Sequence, residues 1–123
     1  MSCEDIVKAF FNMSLTIKLY HWQTTQFSRH KASDELFSGL LDLIDTFIEV
    51  FIGRYKRPKF DSKISIVISE TSDEEMINTL KKYIMYLKNK IPTYLKTDDT
   101  DLLNIRDEML QLLNKTVYLF TLQ

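Results

Sequence analysis

Between Leu36 and Phe51 the chain carries two apolar stripes side by side at helical spacing. Leu36, Leu40, Leu43, Phe47 and Val50 form one, and Phe37, Leu41, Ile44, Ile48 and Phe51 the other. Steps of three and four keep each stripe on one face of a helix, whereas a strand would send alternate members to opposite faces. So wide an apolar surface needs cover on two sides. The spacing therefore predicts a helix over about Arg29 to Ile52, buried within a bundle and against a second subunit. Gly53 follows the last periodic residue, where a C-terminal cap wants it.

Three more helices can be read. The first runs from about Cys3 to Thr25 on Ile6, Phe10, Met13, Ile17 and Tyr20, with Ser2 before it as an N-cap. The third opens with Ser72-Asp73-Glu74-Glu75, a capping box, and continues through Met76, Leu80, Tyr83 and Leu87 until Pro92 stops or kinks it. The fourth covers about Asp99 to Leu122 on Leu103, Met109, Leu110, Leu113 and Val117. Only two Gly and two Pro occur in 123 residues, which suits long helices and not a turn-rich β protein. The fold expected is all-α, with residues 1–123 as one domain.

Connection lengths extend this to topology. Helices one and two, and helices three and four, are separated by few residues and should form antiparallel hairpins. Gly53 to Thr71 is 19 residues long, able to reach about 60 Å when extended, while a 24-residue helix spans about 36 Å. That segment can return along the bundle and leave helices two and three parallel. One long crossover between two hairpins is the topology of a ferritin-like four-helix bundle. Lys63-Ile64-Ser65-Ile66-Val67-Ile68-Ser69 alternates like a strand, but no second such run is present to pair with it. An extended segment lying on the bundle is the expectation.

Composition narrows the setting. No basic segment leads an apolar core near the N-terminus, so no signal peptide is expected there. No run of about 18 uncharged apolar residues is present to span a membrane. Cys3 is the single cysteine, which excludes an internal disulfide and favours a reducing, cytoplasmic compartment. The formal net charge is −1, and a protein that chiefly wraps DNA carries a cationic excess.

The chemistry concentrates on the second helix. Asp34, Glu35, Asp42, Asp45 and Glu49 lie on it, with no Lys or Arg from Ala32 to Gly53. Surface helices ordinarily interleave acids with bases one turn away. At about 100° per residue, with Asp34 as zero, Asp45 falls near +20°, Glu49 near +60° and His30 near −40°. Carboxylates beside an apolar surface are costly unless paired or ligated. A divalent metal would supply the missing charge, and imidazole with carboxylate suits iron, zinc or manganese. His21 lies near the end of helix one, where the hairpin brings helix two.

The order His21-Trp22, Phe27-Ser28-Arg29-His30, Asp34, then Asp45-Thr46-Phe47-Ile48-Glu49 resembles the Dps family of mini-ferritins. That resemblance implies a ferroxidase site shared between two-fold-related subunits. His21, His30 and Asp34 of one chain would face Asp45 and Glu49 of its partner. It also implies oxidation of Fe(II) by peroxide or oxygen, storage of the Fe(III) mineral, and a role for Trp22 in intercepting stray radicals. The homo-oligomer would be a dimer at least, with a twelve-subunit shell as the fuller form. The Glu-x-x-His motif of larger di-iron proteins is absent, which argues against a classical ferritin.

Two other functions fit the residues. Arg54, Lys56, Arg57 and Lys59 alternate with Tyr55 and Phe60, and such a loop could contact the phosphates of DNA and stack its bases. A ferritin-like bundle without turnover, acting as a structural or interaction module, is the other.

Overall fold

The structure, a computed structural model, describes residues 3–60 and 63–122. Among the described residues there are four α-helices: α1 (Cys3–Gln23), α2 (Phe27–Arg54), α3 (Asp73–Met85) and α4 (Thr100–Leu119). No strand occurs among the described residues. The expected N-cap, Ser2, lies outside them.

On α1 the spacing is realised directly, since Ile6, Phe10, Met13, Ile17 and Tyr20 are all buried. On α2 the core line combines the two stripes. Leu36, Leu40, Ile44, Phe47 and Phe51 are buried, Leu43, Val50, Phe37 and Ile48 are half-buried, and Leu41 keeps 46% of its surface exposed. Phe10 meets Phe47 edge to face at 5.3 Å between ring centroids, fixing the α1–α2 contact near its middle. Gly39 lets α4 come close: a Cβ there would lie 2.8 Å from Leu112 Cδ1. The expected register of α4 needs correcting. Leu102, Ile105, Met109, Leu113 and Thr116 face the core, while Leu103, Leu110 and Val117 are half-buried beside it.

Helix ends follow local chemistry, with one departure. Ser72 caps α3, its Oγ accepting from the Glu75 N–H at 3.3 Å. After Met85 the helix widens into a π-turn at Tyr86–Lys90 and ends in a 3₁₀ turn at Ile91–Tyr94, as Pro92 dictates. Gly53, expected as a cap, is instead the penultimate residue of α2. Its φ is not positive, and the Tyr55 N–H still bonds to Phe51 O.

The long connection follows α1 from its first turn to its last. The Lys59 N–H donates to Glu4 Oε1 (2.7 Å), Asn12 Nδ2 to Val67 O (3.0 Å), and Gln23 Nε2 to Glu70 Oε1 (2.5 Å). Ile64, Ile66 and Ile68 are half-buried, and Lys63, Ser65, Val67 and Ser69 are exposed, so the alternation reflects a chain lying on the bundle. At the α1–α2 turn, Arg29 ties several elements together. Its guanidinium donates to Tyr20 OH (3.1 Å), Asp73 O (2.8 Å) and Phe120 O (3.2 Å). Asp73 Oδ1 accepts from Tyr20 OH (2.5 Å) and Thr24 Oγ1 (2.9 Å).

Candidate metal centre

Residues 24–26 alone separate α1 from α2, and this short turn sets the histidines against each other. The imidazoles of His21 and His30 stack with centroids 3.9 Å apart and planes 18° apart. Each ring is anchored to the other residue's backbone: His21 Nδ1 lies 2.6 Å from His30 O, and His30 Nδ1 lies 2.9 Å from His21 O. A carbonyl oxygen can only accept, so Nδ1 carries the proton in both rings. A neutral imidazole held this way has its lone pair on Nε2. Ser33 Oγ reinforces the arrangement, lying 3.3 Å from His21 Nδ1 and donating to His30 O at 3.1 Å. Metal-binding histidines are typically oriented by such a bond from the other ring nitrogen.

Asp34, one turn beyond His30, brings Oδ1 to 3.9 Å from His21 Nε2. With Phe27, Lys31 and Glu35 these groups line a cleft of about 320 Å³. Lys18, which the sequence reading passed over, is the cation that pairs with Asp34 across the hairpin. Its Nζ stands 3.4 Å from Asp34 Oδ1 and over the rings of Phe37 (4.8 Å) and Trp22 (5.6 Å). The signal for it was its place on α1, three residues before His21 and hence on the same face. Trp22 lies beside the cleft, 68% exposed, so it belongs to no core. Phe27 is 73% exposed and stacks on His30 with centroids 6.4 Å apart.

Asp45 and Glu49 do not join this group within one chain. They follow Asp34 by 11 and 15 residues on one helix, or about 16 and 22 Å along its axis. Among the described residues no three His, Cys, Asp or Glu side chains come together as a metal-ligand set. Asp45 instead borders an apolar cleft of about 460 Å³ between α1 and α2, lined by Val7, Phe10, Phe11, Leu41, Ile44 and Ile48. Phe11, Leu15 and Leu41 are large apolar side chains left exposed on these two helices. Glu35, Asp42, Asp45 and Glu49 have no cationic group within 4.0 Å among the described residues.

At the far end of α2 the expected nucleic-acid set divides. Arg54 is committed internally, to Asp99 (3.0 Å) and Asp101 (2.9 Å). Asp99 also accepts from Tyr55 OH and the Lys96 N–H, and the Tyr55 bond chiefly holds its carboxyl below the usual range. Lys56, Arg57 and Lys59 are exposed. No helix among the described residues is long and apolar enough to cross a membrane.

No curated protein and no solved structure matches this sequence. One protein family does, over residues 21–120, a span that opens on His21 and takes in the whole of α2, α3 and α4. The chain belongs to that family, DUF5856, a family of unknown function.

Proposed function

We propose that this chain is an iron-binding mini-ferritin of the Dps kind. In this reading it oxidises Fe(II) with peroxide or oxygen between two subunits, for iron storage and oxidative protection. The observation that carries the reading is the reciprocal anchoring of His21 and His30 through Nδ1, which leaves the Nε2 lone pairs free, that of His21 3.9 Å from Asp34 Oδ1. Iron is the substrate here, and nitrogen with carboxylate donors fits it, as it fits zinc or manganese.

Position along α2 supports the shared site. His30 and Glu49 are equidistant from the midpoint between Gly39 and Leu40, and so are Asp34 and Asp45. Two α2 helices packed antiparallel about a two-fold axis at that midpoint would set His30 opposite Glu49 and Asp34 opposite Asp45, twice per dimer. Exposed Leu41, beside the axis, together with Phe11 and Leu15 would be covered by that contact. The connection along α1 fits the long crossover of a ferritin-like bundle, and closed shells of such dimers, up to twelve subunits, follow from the same resemblance.

The residues present would divide the work. Carboxylates from both subunits favour Fe(III) over Fe(II) and so make the bound metal easier to oxidise. Two Fe(II) each give one electron to hydrogen peroxide, which takes up two protons and leaves as two waters, so no hydroxyl radical is released. Trp22, next to His21 in sequence and exposed, would donate an electron to any oxidant that escapes. Anaerobic titration with Fe(II), followed by peroxide with absorbance read near 300 nm, tests the proposal. Saturable binding and fast oxidation, both lost in His30→Ala, are expected. Oxidation no faster than in protein-free buffer would leave a structural or interaction bundle instead.

A further inference from the structure

At the end of the bundle remote from the histidines, a second cleft of about 350 Å³ lies where the start of α1, the end of α2 and the 3₁₀ turn before α4 meet. One wall is aromatic, made of Phe51, Tyr55 and Tyr94, with the Phe51 and Tyr55 rings 4.8 Å apart between centroids. The other is cationic, made of Lys56, Arg57 and Lys59. None of these three has a carboxylate within 4.0 Å among the described residues. The nearby acids are already engaged: Asp99 by Arg54 and Tyr55, and Glu4, which also lines the cleft, by the Lys59 N–H at 2.7 Å. Lys90 adds a further cation, 5.7 Å from the centre of the Tyr94 ring.

Three cations with no carboxylate within 4.0 Å among the described residues, lining a cleft with three aromatic rings, have a specific chemical complement. Phosphate oxygens satisfy clustered Lys and Arg, and a flat heterocycle stacks on Tyr and Phe. The volume falls within the range of small-ligand sites and is too narrow for a duplex.

We propose that this cleft binds a nucleoside monophosphate unit, its phosphate on Lys56, Arg57 and Lys59 and its base against Tyr55 and Tyr94. The site is independent of the histidine cleft and of iron. It is more confined than the DNA contact that the loop sequence suggests, because Arg54 is withheld and the aromatic rings line a cavity. The unit can be a free nucleotide or the end of a single strand.

Cys3 gives an internal reporter. It lines the cleft and is 6% exposed, and burial pushes its thiol up to about 11, so it reacts slowly with alkylating reagents. A ligand in the cleft should slow it further.

The test is equilibrium binding of AMP, adenosine, inorganic phosphate and a short single-stranded oligonucleotide to the full chain, with Cys3 alkylation followed in parallel. AMP should bind at least about tenfold tighter than phosphate or adenosine, since each loses one wall. Lys56→Gln/Arg57→Gln/Lys59→Gln should abolish this, while Lys81→Gln/Lys82→Gln/Lys88→Gln, an equal loss of charge on α3 and the π-turn, should not. An oligonucleotide that binds more tightly than AMP identifies a strand end as the ligand, and one that binds equally identifies the free nucleotide. Phosphate binding as tightly as AMP would overturn the proposal, as would equal losses in both triple variants. If the first triple variant does not fold, the wild-type protein decides the matter: Cys3 alkylation unchanged by saturating AMP excludes occupancy of the cleft.

Discussion

Lys18→Met offers a direct probe of the histidine cleft. The Lys18 ammonium sits 3.4 Å from Asp34 Oδ1, with side-chain exposures of 27% and 53% for the pair. An ion pair that open contributes at most about 1 kcal/mol to folding, and methionine keeps an unbranched chain against Phe37 and Trp22. Folding stability should therefore fall by no more than about 1 kcal/mol. Metal affinity should move the other way. A divalent ion bound at Asp34 would lie within about 4 Å of the ammonium, where two unit charges in water interact by about 1 kcal/mol and a divalent ion by twice that. Rotation of the lysine away from the ion recovers part of this, leaving about 1–2 kcal/mol, or roughly 5- to 30-fold in affinity. Anaerobic isothermal titration with Fe(II) measures it, with Lys18→Arg as the charge-preserving control. Unchanged or weaker binding in Lys18→Met, with melting preserved, would show that Asp34 and the histidines do not hold the metal.

Gly53→Ala should stabilise the protein by about 0.5–1 kcal/mol, because the residue is helical and open to solvent and nothing lies within 4 Å of an added Cβ. A loss of similar size in a denaturant titration would restore the capping role that the sequence suggested. The Asp73 carboxyl is held below its ordinary value, first by the Tyr20 hydroxyl, so its contribution is present above about pH 4 and is lost as pH falls through the folded value. Denaturant midpoints should drop on acidification below that point, and Asp73→Asn should make the drop shallower. Leu41→Asp should convert the proposed dimer to monomer in sedimentation velocity with the circular dichroism spectrum unchanged, since Leu41 is already 46% exposed within one chain.

Helix count, the α1 core and the Ser72 cap were legible because each rests on contacts within a few residues. Register on α4 was less so. Leu102, Leu103, Ile105, Leu110, Leu112 and Leu113 crowd the helix with apolar residues, and which of them turn inward is decided by α2, where Gly39 admits Leu112. Gly53 misled for a similar reason: a glycine after an apolar stripe reads as a stop, but α2 runs two residues past Ile52 to Arg54, which bonds to Asp99 and Asp101. At the site, spacing placed His21, His30 and Asp34 on neighbouring surfaces, yet it could not show that each imidazole holds the other's carbonyl. Lys18 escaped notice because its partner lies across the hairpin, 16 residues away.

The Arg29 clamp bears on the order in which the molecule assembles. Its partners Tyr20, Asp73 and Phe120 lie 9, 44 and 91 residues away in sequence, so its bonds close at very different stages as a chain emerges N-terminus first. The helical hairpin and its interlocked imidazoles can form before α3 and α4 have been made. The bond to Phe120 waits for the end of α4. Exchange of the backbone amides of α4 should thus report the final locking step, whereas those around His30 should already be protected in a fragment that ends before α3.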